Sequence, residues 1–104
     1  MKTQSVADLF QVVSAGASNV VLLDVRGADE FASGHIEGAV NISHDQVAGR
    51  LSELDKSVPI HVFCKMGGRA QMAGQVLAAA GFDVHCVVGG GMALWEASGF
   101  PVVR

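Results

Sequence analysis

A three-layer α/β domain with a mostly parallel sheet is the fold class this sequence predicts, and three observations carry it. Segments with strand and helix character alternate along the chain. The runs Val20-Val21-Leu22-Leu23 and Ile60-His61-Val62-Phe63 are almost continuously apolar, the pattern of strands covered on both faces. At 104 residues, half of them hydrophobic, the chain suits one compact domain spanning 1–104 and is too short for two.

Ser5-Val6-Ala7-Asp8 has capping-box form, and Val6, Leu9, Phe10 and Val13 follow at helical spacing until Gly16. Val20 to Leu23 is the first strand, Asp29 to Ser33 a short helix, and Ala39 to Ile42 a short strand. Ser43-His44-Asp45-Gln46 offers a second capping box, with Val47, Leu51 and Leu54 on one helical face behind it. Pro59 introduces the strand Ile60 to Phe63. From Gly68 to Ala80 a helix puts Ala73, Val76, Leu77 and Ala80 on one stripe, with Gly81 as its stop and Gly74 allowing close packing on the sheet. Asp83 to Val88 is a further buried strand, and Gly89-Gly90-Gly91 turns into a last helix, Met92 to Ala97. Parallel strands joined this way bind ligands beyond their carboxyl ends, where Cys64 falls.

Composition narrows the function classes. The net charge is −3, with seven Lys and Arg spread along the chain, which argues against nucleic acid or an anionic membrane as partner. No apolar run is long enough to span a bilayer, and no signal-peptide core leads the chain. Two cysteines make no disulfide framework, and no Cys/His cluster has zinc spacing. The expectation is a reduced cytoplasmic protein that needs no metal or cofactor.

The chemistry concentrates in Cys64-Lys65-Met66-Gly67-Gly68-Arg69. A cysteine leaving a strand just before a helix start is surrounded by outward-pointing backbone N–H groups. Those groups, the helix dipole and the two cations Lys65 and Arg69 favour thiolate over thiol. Gly67 and Gly68 let the backbone curl so that several N–H groups aim at one point. Such a cradle holds one anionic atom and points to a nucleophilic sulfur that accepts a charged cargo.

With loop and element order in hand, the chain resembles the single-domain rhodaneses over nearly its whole length. Leu23-Asp24-Val25-Arg26 through Phe31, Gly34-His35-Ile36, Gly38-Ala39 and Asn41-Ile42 are similar to the family's first block. Cys64 to Ala70 resembles its active-site loop, and Gly89-Gly90-Gly91-Met92 with Trp95, Gly99 and Pro101 its C-terminal block. The resemblance implies a five-stranded sheet with helices on both faces and a ping-pong sulfur transfer. Cys64 would take a sulfane sulfur from thiosulfate or a low-molecular-weight persulfide, hold it as a persulfide, and pass it to cyanide, a thiol or a protein acceptor. The loop from Lys65 through Met66, Gly67 and Gly68 to Arg69 would bind the substrate. Many members carry Ser where this chain has Ala70, a departure that bears on substrate preference more than on activity.

The other residues have plainer readings. Asp24 and Arg26 support the site, Asp24 by capping loop amides and Arg26 by pairing with an acid such as Glu30, with direct substrate contact as the alternative. Cys86 is a small core residue, with a resolving thiol as the lesser alternative. The resemblance makes His35 a turn residue, while His44, His61 and His85 lack ligand spacing. Trp95 anchors the last helix. Two competing functions remain. A cysteine phosphatase would need Cys and Arg separated by five residues, whereas Cys64 and Arg69 are separated by four. A sulfur-carrier or binding module would keep the fold, although non-catalytic modules usually lose the cysteine or the loop glycines.

Overall fold

In the computed structural model, which describes residues 1–104, β1 (Lys2–Gln4), β2 (Val21–Asp24), β3 (Val40–Asn41), β4 (Ile60–Phe63) and β5 (Val84–Val87) form one sheet in the order β1-β5-β4-β2-β3. Every pairing in it is parallel. The helices are α1 (Val6–Ser14), α2 (Ala28–Ser33), α3 (Gly68–Ala79) and α4 (Gly91–Ala97). The chain therefore has the expected α/β class with five strands, and the sheet is parallel throughout.

Alternate residues of the central strands face two separate cores. Leu23, Ile60, Val62, Val84 and Cys86 pack with Ala70, Ala73 and Leu77 of α3. Leu22, Phe63 and Val87 pack on the other side with Val6 and Leu9 of α1 and with Met92 and Trp95 of α4. Trp95 is buried, and its indole Nε1–H donates to the Pro101 carbonyl at 2.9 Å. No helix is long and apolar enough to cross a membrane.

Three local expectations need correction. β1 has no counterpart among the expected elements, which begin at Ser5. Lys2, Thr3 and Gln4 carry no apolar signal and become a strand by pairing with His85, Cys86 and Val87. The second capping box does not open an α-helix. Ser43 Oγ donates to Asp45 Oδ1 at 2.8 Å, and the chain makes two 3-10 turns, Val47–Gly49 and Leu51–Glu53. Their Val47 and Leu54 are nonetheless buried, as the spacing required. On α3 the inner stripe is Ala70, Ala73, Gly74 and Leu77, the i, i+3, i+4, i+7 set. Val76 lies about one 100° step from Leu77 and is exposed. Gly74 has the predicted role: a Cβ there would lie 3.6 Å from the Val62 and Val84 side chains and collide with the Met1 sulfur.

Candidate active site

Cys64 follows β4 directly, at the carboxyl end of the sheet, and is only 1 % exposed. Its Sγ accepts hydrogen bonds from the N–H groups of Gly67 at 3.0 Å and Ala70 at 3.3 Å. Both donors belong to the turn and first turn of α3, whose unsatisfied N–H groups carry the positive end of the helix dipole. The N–H groups of Lys65, Met66, Gly68 and Arg69 have no acceptor within the chain. The loop thus offers two donors to the sulfur and four more uncommitted ones around it. Gly67 holds φ 132°, ψ −26°, a conformation that L side chains rarely adopt.

The C-terminal block sets the direction of these amides. Met92 N–H donates to the Cys64 carbonyl at 2.8 Å, and Ala93 N–H to the Lys65 carbonyl at 3.0 Å. Because a trans peptide is planar, drawing these carbonyls toward α4 turns the N–H groups of Lys65 and Met66 away from it. The approach is close enough that a Cβ on Gly91 would overlap the Cys64 and Lys65 carbonyls. The grip of α4 and the Ala70 donor are site features that sequence reasoning missed. Three consecutive glycines at 89–91 are the available signal, which the sequence reading assigns to a turn and to the C-terminal block without a role at the loop.

The supporting charges are partnered differently from expectation. Arg26 pairs with Asp24, not with Glu30: Nε lies 3.0 and 3.1 Å from the two carboxylate oxygens, and Nη2 is 2.8 Å from Oδ2. Both residues are buried, and Nη2 also donates to the Gly34 carbonyl at 2.8 Å. The short turn after β2 folds the two side chains onto each other, whereas Glu30 points across to α3. Asp24 does cap a loop amide, since Oδ1 accepts from Arg26 N–H at 3.0 Å. Asn41 Nδ2 ties the same turn by donating to the Asp24 and Arg26 carbonyls, each at 3.0 Å.

Arg69 binds Glu30 bidentately, at 2.6 and 2.9 Å. The guanidinium, helped by the Gly27 N–H, brings the Glu30 carboxyl down to about 2. Arg69's charge is thereby engaged, and its guanidinium braces the first turn of α3 against α2. Lys65 and Met66 are exposed on the lip of the loop, Met66 at 64 %. Beside the loop, Arg26, Glu30, Ser33, Lys65, Ala93 and Glu96 border a cleft of about 140 Å³.

Cys86 lies mid-strand with no exposure, and burial raises its thiol pKa. It stays a protonated core residue with no disulfide. His35 stacks on Phe31 at 3.8 Å and bonds the Phe31 carbonyl through Nδ1 at 2.8 Å, the geometry of a turn residue.

Comparison with known proteins agrees with this architecture. The family profile described as "Rhodanese-like domain" matches residues 11–98. The thiosulfate sulfurtransferase GlpE of Shewanella oneidensis is 34 % identical over 95 residues, covering 91 % of this chain and 92 % of that protein. The GlpE of Pseudomonas savastanoi pv. phaseolicola is 36 % identical over 78 residues, covering 75 % of this chain and 74 % of that one. Among solved structures, a rhodanese-related protein from Thermoplasma volcanium superposes with a TM-score of 0.87 at 27 % identity, over 99 % of this chain and 98 % of that one. A rhodanese-like domain from Anabaena superposes at 0.86 and 30 % identity, over 99 % and 79 %. The family profile, which spans most of the chain, and these likenesses in sequence and fold show that the chain belongs to the rhodanese-like domain family.

Proposed function

We infer that the protein is a rhodanese-type sulfurtransferase in which Cys64 is the nucleophile. The observation that carries the reading is the pair of N–H groups donating to a buried Sγ, with uncommitted loop amides beside it. Hydrogen bonds to an anion in a site of low dielectric stabilise charge on that atom far more than water-exposed ones. The same donors suit the terminal sulfur of a persulfide, which is also anionic.

In the first half-reaction the Cys64 thiolate attacks the outer sulfur of thiosulfate or of a low-molecular-weight persulfide. The donor's S–S bond breaks, and sulfite or a thiolate leaves with the electron pair. In the second, a thiophilic acceptor (cyanide, a thiol or a protein thiol) takes the sulfur, and Cys64 returns as thiolate. Lys65 draws an anionic donor to the loop, while the Asp24–Arg26 and Glu30–Arg69 pairs hold the loop's walls. Nucleic acid and membrane play no part, and because each turnover regenerates a free thiolate, a reducing cytoplasmic setting belongs to the proposal.

The phosphatase alternative loses support because Arg69, which would have to grip a phosphoryl oxygen, is engaged by Glu30. A carrier role uses the same chemistry with a protein acceptor. The test is incubation with thiosulfate followed by intact mass. One added sulfur atom is expected, with one sulfite released on loading and thiocyanate formed when cyanide follows; all three should vanish in Cys64→Ser. Full transfer to cyanide by Cys64→Ser would refute the assignment.

A further inference from the structure

A second cavity opens on the α1 side of the sheet and shares no lining residue with the cleft beside Lys65. Its apolar walls are Phe10 and Val13 of α1, Ile36 of the turn after α2, and Pro101 and Val103 of the C-terminal tail. These walls are held in place by their own contacts. Phe10 stacks on Phe100 at 4.0 Å between ring centroids, Ile36 is buried, and Val103 pairs with His35 in an antiparallel bridge. The volume, about 300 Å³, reaches the range of small-molecule pockets, roughly 300–1,000 Å³. It has room for about ten waters at roughly 30 Å³ each, and so for a ligand of about ten heavy atoms.

The electrostatics of the cavity select what fills it. Two features on different elements are negative. Glu37 lines the cavity and makes no ion pair. Ser14, the last residue of α1, also lines it and brings to it the carboxyl end of a nine-residue helix, the negative end of the helix dipole. No basic residue stands in the last turn of α1, and no Lys or Arg lines the cavity. Arg104 follows Val103, but successive residues of an extended segment point to opposite faces, and its guanidinium donates to the Ser33 carbonyl at 2.9 Å. The chain therefore supplies no cation to a site that favours one. An anion of the same size would be repelled by Glu37, and a neutral ligand would leave the carboxylate and the helix end uncompensated.

We propose that this cavity binds a small apolar ammonium, an aryl- or alkylamine of about ten heavy atoms. Its hydrocarbon part lies between Phe10, Ile36 and Val103, and its ammonium donates to the Glu37 carboxylate and the Ser14 hydroxyl. Binding is non-covalent and does not depend on the sulfur-transfer reading, because no residue of the Cys64 loop takes part.

The experiment titrates the isotope-labelled protein at neutral pH and low ionic strength and follows its amide NMR signals. The probes are 2-phenylethylammonium, 2-phenylethanol and 3-phenylpropionate, similar in size and carrying positive, no and negative charge. The ammonium should bind tightest, with shifts centred on the amides of Ser14, Glu37 and Val103. Glu37→Gln should weaken it by about two- to five-fold relative to 2-phenylethanol, the size of an exposed ion pair's contribution. Glu37→Lys should move the balance from the ammonium toward 3-phenylpropionate by more than Glu37→Gln does. Glu37 is exposed, so both variants keep the fold, which the same spectra report. Equal affinities for the three probes, a balance unmoved in both variants, shifts centred away from the cavity, or no shift up to the probes' solubility limit would each overturn the proposal.

Discussion

Replacing Gly91 by Ala tests whether α4 positions the active-site loop. A Cβ at this position would overlap the Cys64 carbonyl oxygen and approach the Lys65 carbonyl carbon and oxygen within 3 Å. These are backbone atoms and cannot rotate aside, so α4 must retreat. Retreat stretches the Met92 to Cys64 and Ala93 to Lys65 hydrogen bonds, now 2.8 and 3.0 Å. At about 0.5–1.5 kcal/mol each, their loss costs about 1–3 kcal/mol. The left-handed backbone, at φ 46°, adds about 1–2 kcal/mol for any residue with a Cβ. Gly91→Ala should therefore destabilise the fold by about 2–5 kcal/mol. Gly89→Ala is the control: φ is also positive, at 82°, but nothing lies within 4 Å of its added Cβ. It should cost only the backbone strain. Urea unfolding gives both stabilities, and sulfite release from thiosulfate reports the loop. The expected result is a larger stability loss in Gly91→Ala, with sulfur transfer lost in the fraction that remains folded. If Gly91→Ala matches Gly89→Ala in both assays, α4 does not set the loop's geometry and the argument fails.

Further predictions concern the charged pairs and a buried histidine. Asp24→Ala leaves Arg26 buried without its counter-charge and should destabilise by about 3–5 kcal/mol in urea titration, the cost typical of breaking such a pair. Arg69→Ala should reduce kcat for thiosulfate with little change in KM, because Arg69 braces α3 against Glu30; Lys65→Ala should raise KM, and steady-state kinetics separate the two. Glu30→Gln should reproduce part of the Arg69→Ala loss in the same assay. His61 is buried beside His85 at 4.7 Å between ring centroids, and burial followed by the neighbouring imidazole's charge lowers its pKa. A depressed folded-state value means its contribution is full above the ordinary imidazole value of about 6.5 and is lost as pH falls through the lower folded value. Stability should decline from pH 7 to pH 5 in the unmodified protein, and the decline should shrink in His61→Gln; an unchanged slope would show that His61 does not carry it.

The sequence by itself determined the features whose causes are local. The run Ile60 to Phe63 needed only its apolar character, interrupted by His61 alone, to be read as a buried strand. Cys64, Gly67 and Gly68 announced a curled loop before a helix through residue type and adjacency alone. The buried side of the 43–54 segment was legible through Val47 and Leu54, even though the backbone there chose 3-10 turns over the expected α-helix.

Tertiary structure decided whatever depends on partners distant in the chain. β1 is polar and three residues long, so its strand state exists only through pairing with β5, more than eighty residues later. Glu30 and Arg69 stand 39 positions apart, and nothing between neighbours indicates that they would meet; local spacing favoured Arg26, four residues from Glu30. The hold of α4 on the Cys64 carbonyl likewise joins the ends of β4 and β5, brought side by side by the parallel sheet. Residue identity supplied a nucleophile and a loop able to curl around it. Charge pairing and amide direction are properties of the assembled space, because electrostatic attraction and hydrogen bonding act over ångströms and not over positions in the chain.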